Sequence, residues 1–278
     1  MRGLPFNFTN TMKNSPRLLL LVLLCVGLGV GVLKAYTFGR IAFDAGNYKA
    51  ARWWYGVAAN MGDANAQNNL AGLYADGLGG PQNNRLAAEW FEKAARNGVA
   101  SAKFNLSNFY EDGRGGTQDT RKAVALLESA ASEGDVVAAF NLGSIYATGR
   151  DDFPKDATQA IAWYQKAADR GYASAQYNLG SLYAQGVDVP QDLSQAGKFF
   201  SQAAQLGHAK AQMDLGTMHA FGMGYAQDTV QGMQWLRKAA SQAVTAAEAM
   251  RRIETVCKGT IDAATKALCQ QPLSTPAG

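Results

Sequence analysis

The chain has 278 residues, with 26 basic and 22 acidic side chains and a net charge of +4. The charges are spread through the repeats without the basic stripe that a phosphate backbone requires, which argues against binding to nucleic acid. Two histidines, no phosphate loop and no serine in a nucleophile-elbow pattern leave no obvious metal site, cofactor site or catalytic constellation.

The chain opens with a basic tail, residues 1–17, which contains Arg2, Lys13 and Arg17 and no acid. An uncharged run, LLLLVLLCVGLGVGVL, fills residues 18–33. Its length lies between a signal-peptide core of about 7–15 residues and a spanning helix of about 17–25. Leu33 and Lys34 precede Ala35, so the small-x-small pattern of a cleavage site is absent, and Val22-Leu23-Leu24 before Cys25 lacks the small residue of a lipoprotein site. Lys34 can snorkel and Tyr36 can sit at an interface. Residues 18–38 are therefore read as a transmembrane signal anchor, with a cleaved signal and secretion as the alternative. Lys34, Arg40 and Lys49 nearly balance the basic tail. The short basic tail before the apolar run still favours export, which places the chain as a single-pass protein of the inner membrane with its bulk in the periplasm. A cytoplasm-facing protein is the alternative.

From residue 64 to residue 244 one unit recurs. It is clearest in Ala173–His208: a helix to about Gln185, a loop marked by Gly186 and Pro190, and a second helix starting at Asp192 as N-cap and stopping at Gly207. The N-cap position holds Asn47, Asn83, Asp119, Asp156, Asp192 and Asp228, at intervals of 36, 36, 37, 36 and 36. A bulky residue follows in the second helix as Trp54, Trp90, Leu126, Trp163, Phe199 and Trp235, then an alanine pair beginning at Ala58, Ala94, Ala130, Ala167, Ala203 and Ala239. The first helix repeats leucine at Leu70, Leu106, Leu142, Leu179 and Leu215, and then an aromatic at Tyr74, Tyr110, Tyr146 and Tyr183, with His219 in the last unit. A helix pair cannot cover its own apolar face, so successive pairs stack. The bulky series is expected to fill the space between helices.

Leu179-Gly180-x-x-Tyr183, Gly186, Ala196-x-x-Phe199 and Ala203-Ala204-x-x-Gly207 together resemble the Sel-1-like repeat, a 36-residue relative of the tetratricopeptide repeat. The resemblance covers five units over residues 64–244. Residues 39–63, with Ala45-Gly46-Asn47-Tyr48-x-x-Ala51, look more like a tetratricopeptide half repeat because they lack the long glycine loop. It implies an all-α, right-handed helical solenoid and a non-catalytic adaptor that holds a protein or peptide partner, of unstated identity, in a concave groove. Cysteine-rich relatives credited with penicillin binding or weak β-lactamase activity carry a cysteine pair in each unit. No unit has one here, which leaves that enzyme reading as a minor alternative.

Residues 245–270 read as capping helices. Cys257 and Cys269 flank a helix stop at Lys258-Gly259-Thr260, and a disulfide between them would staple the end of the solenoid; two unpaired thiols are the alternative. Residues 271–278 read as a disordered tail.

Among polar residues, His219 takes the tyrosine position and reads as packing, and His208 at an inter-unit turn reads as surface. The glycine runs 77–80 and 113–116 follow helix ends and read as turns, and Asp151-Asp152 as solvated. One series remains: Asn69, Asn105, Asn141, Asn178 and Asp214, each before the repeat leucine, on helices that line the concave face in tetratricopeptide-type solenoids. An amide donates and accepts, which suits the backbone of an extended peptide. Lys103, Gln176, Lys210 and Gln212 are expected beside them. Structural hydrogen bonds between helices are the alternative role of the asparagines.

Overall fold

The computed structural model describes residues 31–150, 153–259 and 262–272. The basic tail, most of the expected anchor, Asp151-Asp152 and the tail beyond Pro272 lie outside the described residues. Among the described residues there are fourteen helices and no strand. They are α1 (31–44), α2 (Tyr48–Asn60), α3 (Ala64–Asp76), α4 (Asn84–Arg96), α5 (Ala100–Glu111), α6 (Thr120–Ser132) and α7 (Val136–Thr148), then α8 (Ala157–Ala168), α9 (Ala173–Gln185), α10 (Leu193–Gln205), α11 (Ala209–Phe221), α12 (Thr229–Ala240), α13 (Ala246–Lys258) and α14 (Ala263–Gln270). None of the described helices is long and apolar enough to cross a membrane. The chain divides into two compact units, residues 1–126 and 127–278.

Local chemistry sets each helix pair. The side chains of Asn83, Asp156, Asp192 and Asp228 accept from the backbone N–H three residues on, at 3.0, 3.0, 2.9 and 2.8 Å, so each second helix starts on a satisfied first turn. The first helices α3, α9 and α11 end on Gly77, Gly186 and Gly222 at φ of 68, 64 and 69°, the left-handed conformation that glycine adopts without strain. The loop then folds back. The N–H of Asn83, Asp119, Asp156, Asp192 and Asp228 donates to the carbonyl of Tyr74, Tyr110, Tyr146, Tyr183 and His219 at 2.8–3.0 Å. Gln82, Gln191 and Gln227 donate their side-chain amides to Ala75, Ala184 and Ala220 at 2.6, 2.8 and 2.9 Å. Carbonyls that a helix C-terminus leaves without partners are thereby satisfied.

Within a pair, a small residue on the first helix meets a large one on the second. A Cβ on Gly180 would lie 2.6 Å from the ring of Phe200, one on Gly143 2.5 Å from Tyr164, and one on Gly39 2.6 Å from Tyr55. Gly216 stands 2.9 Å from Leu236 by the same measure. The core-filling series is thus Tyr55, Phe91, Leu127, Tyr164, Phe200 and Leu236, all 4% exposed or less. This corrects the expected series by one residue. Trp54, Trp90, Leu126, Trp163 and Trp235 are only half-buried, and Phe199 alone of that set is buried. One step along a helix turns a side chain by about 100°, so the Trp series flanks the seam that its neighbour fills. Lys93, Lys166 and Lys238 lie over Trp90, Trp163 and Trp235 with Nζ 4.0, 3.6 and 5.0 Å from the ring centroids.

In the first unit, α1 completes a pair that the sequence reading starts only at residue 39. Ala35 is buried against Ala51 and Tyr55 of α2, and Tyr36 packs on Tyr55 with ring centroids 5.8 Å apart. The loop between α1 and α2 has three residues, 45–47, where the next pair has seven, 77–83. In the second unit, α13 packs on α12 through Met233, Leu236, Ala249 and Ile253. A disulfide joins Cys257 to Cys269 with Cα atoms 6.0 Å apart and ties α13 to α14. Arg237 donates to the carbonyls of Leu268, Gln271 and Pro272 at 3.1, 3.1 and 2.6 Å and fastens α14 to α12. Asp262 caps α14; the N–H of Thr265, then the hydroxyls of Thr265 and Thr229, hold its carboxyl well below the usual carboxylate range.

Because Gly180 has no room for a side chain, Gly180→Val is expected to destabilise the protein by about 1–3 kcal/mol in urea unfolding. Pairing Gly180→Ala with Phe200→Leu should cost less than the sum of the two single changes.

Candidate partner-binding surface

The asparagine series stands on the first helices, and each member is half-buried. The bonding of its members differs. Burial pushes the phenols of Tyr55 on α2 and Tyr164 on α8 up; Asn69 offsets part of this at Tyr55, and Ser144, 3.1 Å from the phenol oxygen, and then Asn178 offset part of it at Tyr164. Where the second helix carries Phe91 in place of tyrosine, the amide of Asn105 has no phenol to meet at that position. Asn105 donates instead to the side-chain oxygen of Asn68 at 3.3 Å, and Asn68 donates in turn to Asn69 at 3.4 Å. In the first unit Asn68, Asn69, Asn105 and Asp76, with Tyr55 and Phe43, line an open pocket of about 270 Å³.

In the second unit a pocket of about 350 Å³ is lined by Tyr177, Ser181, Gln185, Asp214, Thr217 and Arg252. Asp214, expected to face a partner, is engaged within the chain. Its carboxylate accepts from Arg252 of α13 at 2.8 Å, and the same guanidinium nitrogen donates to Thr217 at 3.0 Å. The capping helix thereby occupies the position that the amide series leaves open elsewhere.

Three of the flanking residues also differ from expectation. Gln176 and Gln212 are 6% and 1% exposed and Lys103 is 9% exposed, so they do not present themselves on a groove. They lie on the first turn of their helices, against the second helix of the preceding pair. Gln67, Gln176 and Gln212 donate to the carbonyls of Ala59, Ala168 and Ala204 at 3.2, 3.2 and 3.1 Å, which ties each first helix to the end of that preceding second helix. Lys210 remains exposed. His208, read as a surface residue, caps α11: its Nδ1 accepts from the N–H of Ala211 at 3.3 Å while its ring stacks on Tyr177. Burial, followed by the Lys210 charge, lowers its pKa and keeps the ring neutral, the state in which Nδ1 can accept. His219 stacks on Tyr225 with centroids 4.4 Å apart.

The sequence reading names Gln176 and Gln212 but assigns them to the groove and omits Gln67, although all three sit at multiples of the unit length, two residues before the asparagine position. No group of His, Cys, Asp and Glu among the described residues could hold a metal ion.

A chain of helix pairs joined by locked loops, with half-buried amides on open first-helix faces, defines the class of helical-repeat solenoids, which present surface to other proteins. The chain belongs to the Sel1 repeat family: the family model matches six times, over residues 25–63, 64–99, 100–135, 136–172, 173–208 and 209–244. The first match includes α1 and so treats the segment expected as a half repeat as a whole unit. The structure is similar to the crystal structure of a Sel1 repeat protein from Oxalobacter formigenes, at 29% identity and a TM-score of 0.67, covering 84% of this chain and 94% of that one. It is also similar to c5321, a protective antigen present in uropathogenic Escherichia coli strains displaying an SLR fold, at 25% identity and a TM-score of 0.57, covering 84% of this chain and 63% of that one. No curated protein matches the chain. Sel1 repeat proteins are generally protein-interaction scaffolds, and their solenoid fold is typically non-catalytic.

Gln67 and Gln212 each have a second partner thirty residues on: their Oε1 atoms accept from Asn97 at 3.0 Å and Gln242 at 2.7 Å. The residue thirty on from Gln176 is Leu206, which is 57% exposed, and the buried Oε1 of Gln176 has no partner. Leu206→Gln is expected to raise stability by about 1 kcal/mol in urea unfolding by supplying the missing donor, and Leu206→Ala should not.

Proposed function

We propose that the protein is a non-catalytic adaptor of the cell envelope that binds a protein or peptide partner on the first-helix faces of its repeats and holds it at a membrane. The observation that carries the reading is the amide cluster of Asn68, Asn69 and Asn105 beside an open pocket in the first unit. Primary amides at helical-repeat spacing can pair with both the N–H and the C=O of an extended chain, and Tyr55 and Phe43 offer apolar contact between them. Such a site binds stoichiometrically and transforms nothing.

Placement outside the cytoplasm is supported by two features. The uncharged run at residues 18–33 follows a short basic tail, and a disulfide closes the last helices, as suits an oxidising compartment. The uncharged run at residues 18–33 then serves as an uncleaved anchor in the inner membrane, while residues 34–38, expected as its end, pack on α2 in the first pair, with the repeats in the periplasm.

Partner capture tests the groove. Full-length protein extracted from native membranes should retain a specific partner by mass spectrometry, and Asn68→Ala with Asn105→Ala should lower that recovery about tenfold while costing stability only about 1 kcal/mol. Unchanged capture by a folded double variant would move the site elsewhere. For location, a C-terminal reporter that is active only after export should be active; a silent one would place the repeats on the cytoplasmic side.

A further inference from the structure

Within each unit the first helices α3, α5, α9 and α11 are covered by the second helix of the pair before them. On α3, Ala66, Leu70 and Leu73 are 0, 2 and 1% exposed because they pack on Ala51, Tyr55, Ala58 and Ala59 of α2. The register between pairs is fixed by the close contact of Gly39 with Tyr55, whose counterparts are Ala71 and Phe91. In that register the three positions on α1 hold Lys34, Phe38 and Ile41. These positions stay open: Lys34 is exposed, Phe38 is 45% exposed and Ile41 56%. The apolar surface continues onto α2. Phe38 packs on Trp54 at 4.9 Å, Trp54 on Trp53 at 4.5 Å, and Trp53 is 61% exposed. The positions equivalent to Trp53 in later pairs hold Glu89, Ala125, Ala162, Lys198 and Gln234, all solvent-facing. A tryptophan at this place is specific to the first pair.

We propose that this open end of the first pair is closed by the headgroup layer of an anionic lipid bilayer, which stands where the second helix of a preceding repeat would stand. The inference rests on the anchor reading of residues 18–38 and adds what lies directly beyond it. Leu33 ends the uncharged run, and α1 rises about 12 Å from there to Ile41 at 1.5 Å per residue. The headgroup region adds about 5–8 Å on each side of a core about 30 Å thick, so Lys34, Tyr36, Phe38 and Arg40 fall within and just above it. Aromatic rings beside Lys and Arg are the residue types that settle at this depth.

Charge selects the occupant. Up to Asn60 the chain has seven basic residues and one acidic, a net +6, while the remainder has 19 basic and 21 acidic, a net −2. Lys34, Arg40 and Lys49 are exposed on the first pair. A second copy seated face to face on the same surface would bring Lys34 and Arg40 against their own counterparts. Anionic headgroups neutralise them instead.

The test uses the full chain in phosphatidylcholine–phosphatidylglycerol vesicles, with Cys25→Ser and a fluorophore on Ile41→Cys, or on Val187→Cys as an exposed reference. Nitroxide-headgroup lipid should quench the probe at 41 several-fold more than the probe at 187, and Lys34→Glu with Arg40→Glu should reduce the difference. Equal quenching at both sites in protein that floats with the vesicles would overturn the proposal and leave the anchor intact. Energy transfer between probes at 41 on separate copies, without lipid quenching, would overturn it in favour of self-association. Protein that fails to float would refute the anchor reading, and this one with it.

Discussion

A first helix and its partner can approach closely only where one of them gives up a side chain, and Gly180 against Phe200 shows how the pair depends on it. With no Cβ on one backbone, the ring on the other fills the gap, and the alanine pairs next to it let the following helix close in. Gly39, Gly143 and Gly216 do the same in their pairs, with Ala71 and Ser107 as the next smallest solutions. Glycine inside a helix costs roughly 1 kcal/mol in propensity, which is offset here by the buried ring opposite. The loop that joins the two helices is fixed by hydrogen bonds from Gln82, Gln191 or Gln227 and from the N-cap N–H, so the angle between them is set by covalently local chemistry.

That division of labour leaves the first-helix faces free of structural duty over part of their surface. The amides differ accordingly. Asn69 and Asn178 support a buried phenol, Asn105 bonds to its neighbour Asn68, and Asp214 is taken by Arg252. A surface composed this way is engaged in self-packing to a different degree from one pair to the next.

Features fixed by local chemistry were legible in the sequence. The asparagine and aspartate caps, the glycine stops and the 36-residue period needed only nearest neighbours to be read. Contacts across the fold were not. Trp54 and Tyr55 are adjacent, both bulky and both aromatic, and only the position of Gly39 decides which is buried. Gln176 and Gln212 look like solvent-facing amides on a helix, until the preceding helix end supplies the carbonyls that bury them. The Asp214–Arg252 pair spans 38 residues and carries no periodic signal, because Arg252 lies beyond the last repeat.

In three of the long loops a second glycine, Gly79, Gly115 or Gly224, adds one more constraint. Gly79 and Gly224 lie so near the first turn of α2 and α10 that a Cβ would fall 2.2 Å from the Tyr48 carbonyl and 2.5 Å from that of Leu193. The same short segment therefore closes its own pair and seats it on the one before. In those loops the interlocking surface is thus encoded within one repeat length and its neighbour, so unequal recombination that adds or deletes a whole cassette conserves it, whereas a slip by a fraction of a cassette breaks two junctions at once.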